Sequence, residues 1–254
     1  MAPVLIASPA PKLWFIQVND LVPLRDNNPV NSTPRVVYGL IILNVVIFLL
    51  QVNLPPNQLE SFFNTWGMVP QQLTASFQNL QGALPWVWIT LFTSQFLHGG
   101  IFHLGGNMLY LWVFGNNIED QLGHVKFLIF YLGCGALAAL AQWAFEPTAT
   151  IPTIGASGAI AGVMGAYVLR FPRATILTLI PLIFFFTTIR IPAIYFLGFW
   201  FIQQALYGLA SLSRNINLGA GGVAYWAHAG GFVVGVILGP LLGLMTSKSP
   251  PRRR

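Results

Sequence analysis

The chain has 254 residues, of which 55% are hydrophobic and only 7% charged, with a formal net charge of +6. Soluble proteins carry about a quarter charged residues, so a soluble globule is excluded and a membrane chain is expected. Twenty Phe, eight Trp and seven Tyr suit a helix bundle with interfacial aromatic belts, and the single Cys134 excludes a disulfide framework or a cysteine metal site.

The first 35 residues contain six prolines and mixed charges, without the basic start, apolar core and small-residue cleavage site of a signal peptide. Crossing a hydrocarbon core takes about 20 helical residues. Apolar runs of roughly that length follow at 36–54, 103–121, 125–145, 157–171, 191–211 and 223–246, six in all, the first reading as a retained anchor. Between the first two, residues 51–98 contain no Lys or Arg; their aromatic stretch at 86–92 is too short to span and suggests amphipathic pieces in the outer leaflet. The apolar stretch 174–188 is only 15 residues, rich in Ile, Thr and Phe and interrupted by Pro181. It reads as an interfacial segment, extended in part, with a seventh span as the alternative.

Eleven of the twelve basic residues fall on one side of a six-span arrangement: Lys12, Arg25, Arg35, Lys126, Arg170, Arg173, Arg190, Lys248, Arg252, Arg253 and Arg254. Only Arg214 is on the other, so both termini are expected in the cytoplasm. The closing arginines follow an apolar helix directly and read as a cytoplasmic anchor, not a nucleic-acid patch. No internal repeat is visible. The expected organisation is a cytoplasmic segment 1–35, an all-α membrane domain of six helices over 36–246, and a basic tail 247–254.

In this topology the second, fourth and sixth spans all enter from the outer face. Intramembrane polar residues are functional candidates by default, and they gather at those outer ends: His103 and Asn107, Ser157, and His228. From Ser157 to Arg170, whose head should reach the cytoplasmic interface, is 13 residues, about 20 Å of helix, which sets Ser157 about 10 Å below the outer surface of a core of roughly 30 Å. Asn107 lies 12 residues before Glu119 and so at a similar level, with His103 one turn higher. A lone serine in such a helix is ordinarily a packing residue. Here Gly155-Ala156-Ser157-Gly158 opens the helix, where free amides and the positive dipole end favour an oxyanion. Gly158 and Gly162, with Gly231, Gly235 and Gly239, stand four apart and would let the fourth and sixth spans approach closely enough for Ser157 to meet His228.

Competing chemistries are poorly served. Gly155-x-Ser157 lacks the final glycine and preceding strand of the hydrolase elbow. There is no HExxH motif, no intramembrane aspartate pair, and no ligand set around His98 and His103. His98 reads as a loop-packing histidine, His124 as a solvated loop residue and Cys134 as a small apolar filler. The outer side has only two carboxylates, Glu60 and Glu146, both in loops. A Ser157–His228 dyad remains, with His228 as general base and packing as its support. No metal or cofactor is expected.

The chain resembles the bacterial rhomboid intramembrane serine proteases. The resemblance runs from Pro23-Leu24-Arg25-Asp26 to the end of the sixth span and rests on His98-Gly-Gly-Ile-Phe-His103-Leu-Gly-Gly-Asn107, Gly155-Ala-Ser157-Gly158 and Ala227-His228-Ala-Gly-Gly231-Phe-Val-Val-Gly235. It implies six helices around a water-filled cavity open to the outside. It implies Ser157 as nucleophile, His228 as base, and His103 and Asn107 as side chains that help the Ser157 amide hold the oxyanion. The implied substrates are single-pass membrane proteins, cut in an extended segment with small residues at the bond, in the plasma membrane and in contact with its lipid. Gln95, Ser94 and Asn107 would line the water path, and the fifth span with the loop 215–222 would move. Two departures stand out: no arginine occurs in the first loop, and Ala161 takes a position where many members carry an aromatic ring. A non-catalytic relative that binds client helices and a small-solute transporter are the other classes, the latter lacking charged mid-membrane residues and an inverted repeat.

Overall fold

The computed structural model describes residues 21–78, 86–181, 185–212 and 223–246. Helices occupy each of the six expected stretches. They are α1 (Arg35–Gln51), then α5 (Ile101–Tyr110) continued by a π turn (Leu111–Gly115) and α6 (Asn116–Leu122), α7 (His124–Phe145), α8 (Ser157–Arg170), α9 (Ala193–Ser211) and α10 (Tyr225–Leu241). Among the described residues, α7 and α9 are long and apolar enough to cross a membrane, whereas α1 and α10 are apolar but shorter. Apolar side chains on α1 and α9 face outward, among them Ile42, Leu50, Ile202 and Leu206, as a lipid-facing surface requires. α10 stops at Leu241, five residues before the expected end of its span. Gly243 turns the chain at φ +97, and the Leu244 N–H reaches back to the Gly239 carbonyl at 3.0 Å, a Schellman closure.

The long first loop folds into α2 (Pro56–Trp66), α3 (Pro70–Phe77) and the short α4 (Thr90–Thr93) flanked by 3-10 turns. The described residues of 174–188 do not form a seventh helix. Strands β2 (Thr175–Pro181) and β3 (Phe186–Pro192) pair antiparallel, Thr175 facing Pro192 and Pro181 facing Phe186, so the chain returns to the end it left. The Ile, Thr and Phe content that makes this stretch a poor helix suits a pleated ladder. On its other edge β2 pairs with β1 (Val22–Asp26), which binds the N-terminal segment to the helical body. The fold is therefore helical with one small three-stranded sheet.

Two polar clusters hold that end together. Glu119 is fully buried and accepts the backbone N–H groups of Val36 at 2.9 Å and Val37 at 2.8 Å, capping α1, whose start has no side-chain cap of its own. His124 is not a solvated loop residue: it opens α7, and its Nδ1 lies 2.5 Å from Glu119. In the second cluster the Tyr167 hydroxyl donates to Asp26 at 2.5 Å and Asn117 donates to the same oxygen at 2.7 Å.

The core centres on α8, which is buried along most of its length and meets α10 backbone to backbone. A Cβ on Gly235 would collide with the Gly162 carbonyl, and one on Gly231 with the Gly158 carbonyl. On its other side, a Cβ on Gly162 would sit 2.5 Å from the Cβ of Cys134 on α7. In lipid, where helices gain little from hydrophobic sorting, such close approach supplies dispersion contact that side chains would prevent.

Two outcomes are expected. Gly235→Ala should cost about 1–3 kcal/mol through forced separation of backbones, read as a lowered melting temperature in detergent, whereas Gly198→Ala on α9, with nothing within 4 Å of the added methyl, should leave it unchanged; equal stability of the two would refute the interlock. The second concerns Asp26. Burial raises its pKa above 3.8, the hydrogen bonds from Tyr167 and Asn117 pulling the other way. The folded state thus holds the proton more tightly than the unfolded chain. That contribution is complete below the unfolded value and is lost as pH rises through the folded one. Asp26→Asn, which keeps an acceptor oxygen, should gain stability relative to the parent as pH rises above 3.8; a difference in denaturation midpoint that stays constant as pH rises from there would contradict it.

Candidate active site

Ser157 is the first residue of α8, and Gly155 presents it. Gly155 has φ +122, a conformation L side chains rarely adopt, and a Cβ there would lie 2.8 Å from the His103 Nε2. Glycine is therefore required twice over. Its N–H donates to the Ser94 carbonyl at 2.9 Å, and Met68 and Thr153 exchange backbone hydrogen bonds at 3.1 and 2.8 Å, so the approach to α8 is pinned to the first loop.

His228 lies in the first turn of α10. The Ser157 hydroxyl is 2.8 Å from its Nε2, and the Nδ1 is 2.8 Å from the Gln204 Oε1 on α9. The Trp200 ring is 5.8 Å from the imidazole, centroid to centroid, at 36°. Gln142 on α7 accepts the Ala227 N–H at 3.1 Å and fixes the start of α10. The expected meeting of Ser157 and His228 is present, and the imidazole has a polar partner as well as packing around it.

His103 and Asn107 reach the same place from α5. The Gly99 N–H donates to the His103 Nδ1 at 3.4 Å, which leaves the proton on Nε2, the nitrogen beside Gly155. Asn107 is buried, and its Nδ2 finds no partner among the described residues. His103, Asn107, Ser157 and His228 all line one cavity of about 850 Å³, whose other walls include Phe102, Ile160, Met164 and Trp200. That is a volume suited to a ligand or peptide segment. A second, tighter space of about 20 Å³ lies behind the serine, lined by Ser94, Gln95, Gly155, Ser157 and Ala227. It has room for about one water, and the buried Gln95 Oε1 has no partner among the described residues.

His98 packs in the loop ahead of α5, 1% exposed, its ring edge-on to His103 at 5.1 Å. Burial, reinforced by His103, pulls its pKa down to about 4, so it stands neutral. Gln51 holds the loop by bonding the His98 carbonyl at 2.8 Å and its N–H at 3.2 Å. Ala161, one turn after Ser157 on α8, is fully buried and contributes no ring. The loop 215–222 lies outside the described residues. Gln204, Gln142 and Gln51 were passed over in the sequence, although each is a polar residue in or at the end of an apolar run.

The Rhomboid domain model matches residues 85–244, a span that contains the serine, both histidines and the asparagine. The chain belongs to the rhomboid family. It is 33% identical to the Rhomboid protease GluP of Bacillus subtilis over 84% of this chain and 36% of that protein. It is 31% identical to the Rhomboid protein 1, mitochondrial, of Saccharomyces cerevisiae over 65% of this chain and 45% of that one. With the Rhomboid-like protein 11, chloroplastic, of Arabidopsis thaliana it shares 26% identity over 89% of this chain and 71% of the relative. The chain thus spans less than half the length of the first two. As a rhomboid it is an integral membrane protein, and protease-named relatives stand among those most like it.

Proposed function

We propose that this rhomboid is an intramembrane serine endopeptidase that cuts single-pass membrane proteins in or near their transmembrane segments. The observation that carries the reading is the 2.8 Å contact between the Ser157 hydroxyl and the His228 Nε2 on the wall of a cavity that also holds an unpartnered amide, that of Asn107. His228 takes the hydroxyl proton as Ser157 attacks the scissile carbonyl. The tetrahedral oxyanion is held by the Asn107 Nδ2, the His103 Nε2–H and the Ser157 amide at the positive end of α8. His228 then gives its proton to the departing amine, and water, for which the space behind the serine has room, releases the acyl group. The apolar walls seat an extended peptide and keep bulk water away. No nucleic acid or metal enters this scheme. The six-crossing bundle over 36–246, flanked by cytoplasmic 1–35 and 247–254 and carried in a plasma membrane, belongs to the same proposal.

Purified protein in micelles should cleave a labelled single-pass substrate. Ser157→Ala and His228→Ala should each abolish cleavage while remaining folded, and their effects should not add, because the pair acts as one unit. Asn107→Leu should reduce turnover about 100-fold, the lower end for loss of one oxyanion donor, without lowering the melting temperature, since no protein hydrogen bond of its Nδ2 is lost. A folded, client-binding protein without turnover under any condition would establish the non-catalytic reading instead. The orientation is checked separately: a reporter after Arg254 should read cytoplasmic and one inserted near Thr148 external, and an external C-terminus would overturn the six-span arrangement.

A further inference from the structure

A neutral imidazole can take a proton through Nε2 only while its own proton sits on Nδ1. In a cavity wall of apolar side chains nothing intrinsic selects that tautomer. Here the Nδ1 lies 2.8 Å from the Gln204 Oε1, and Gln204 is 8% exposed, so bulk water does not compete freely for the bond. An amide oxygen can only accept, which places the histidine proton on Nδ1 and leaves Nε2 to receive the Ser157 hydroxyl. Were the amide nitrogen turned inward, the proton would move to Nε2 and face the serine as a donor, the wrong arrangement for a base.

The ring plane is set from the same helix. Trp200 stands one turn before Gln204 on α9, with its ring 5.8 Å from the imidazole. Ala161, one turn after Ser157 on α8, offers no ring to stack. Both groups that orient His228 thus come from α9.

We propose that Gln204 is a positioning residue that acts through His228, fixing its tautomer and direction toward Ser157, with Trp200 setting the ring plane. The proposal rests on the serine-protease reading. As a neutral acceptor, Gln204 selects the productive tautomer without the extra charge stabilisation that a carboxylate would give the imidazolium.

Full-length protein in micelles provides the test, with turnover of the labelled substrate and the rate at which a fluorophosphonate labels Ser157 both measured across pH. Gln204→Leu should lower kcat about 5- to 10-fold, the equivalent of roughly one neutral hydrogen bond, with KM unchanged and labelling slowed in proportion. Gln204→Glu keeps the acceptor oxygen and should retain activity, while the acid limb of its kcat/KM profile moves to higher pH because the carboxylate favours imidazolium. The other titratable groups on the elements around His228 are His103 and Tyr110 on α5, Tyr195 and Tyr207 on α9, Tyr225 on α10, His124, Lys126, Tyr131 and Cys134 on α7 and, toward the far end of α8, Tyr167 and Arg170. All stay constant across the series. Melting temperatures distinguish misfolding from loss of function, and should Gln204→Leu fail to fold, the pH profile of Gln204→Glu decides. Wild-type kcat and labelling in folded Gln204→Leu, or an unmoved acid limb in Gln204→Glu, would overturn the proposal while leaving the protease reading intact. A wild-type protein that neither cleaves nor labels would overturn the protease reading itself.

Discussion

Everything at the Ser157 end of this molecule depends on two backbones touching. α8 and α10 meet where Gly158, Gly162, Gly231 and Gly235 leave no side chain between them. Ser157 is the residue just before the first contact and His228 lies three residues before Gly231, so the same packing that joins the helices sets the separation of hydroxyl and imidazole. A methyl group at Gly231 or Gly235 would run into the facing carbonyl of α8 and force the helix pair apart, and with it the hydroxyl and the imidazole. Stability and site geometry are therefore one constraint here, not two.

The remaining parts of the site follow from where helices begin. Ser157 opens α8 and His228 lies in the first turn of α10, where backbone amides lack intrahelical acceptors. α5 runs past both with Asn107 unpartnered and His103 held in one tautomer by the Gly99 amide. Polar groups in such a setting are costly unless a partner arrives. The opposite end of the bundle has no such unmet demand in its two clusters. Glu119 caps α1, and Asp26, Tyr167 and Asn117 satisfy one another.

The legible part of this architecture was local or periodic. Apolar run length located six helices, the four-residue glycine spacing named the pair that would pack, and Gly155 to Gly158 marked a helix start. β-branched and aromatic content, with Pro181, set 174–188 apart from the helices before any pairing was visible. What escaped depended on rotation and long-range pairing. Nothing in the sequence near Gln204 says which way α9 turns that residue, and its partner is 24 positions away. Glu119 served in the sequence only to mark the depth of Asn107, because its partners, the amides of Val36 and Val37, are more than 80 residues earlier. β1 is only five residues long and acquires its register from β2, so the N-terminal segment looked separable when it is tied to the body.

α9 occupies an unusual position in this scheme. Only 28% of the residues in its apolar window are buried, against 50% in α7, so it is the less firmly embedded of the two helices of crossing length. Yet it contributes Trp200 to the cavity wall and both Trp200 and Gln204 to the surroundings of His228. An outward displacement of α9 that enlarged the cavity would draw the Gln204 oxygen from Nδ1 in the same motion. Hydrogen bonds of this kind span about 2.7–3.2 Å, so a shift of well under one helix radius would take the Gln204 oxygen out of that range. On the proposed reading, the geometry of Ser157 and His228 would be complete only with α9 against α10, which would couple entry of a peptide to readiness of the base through a single helix.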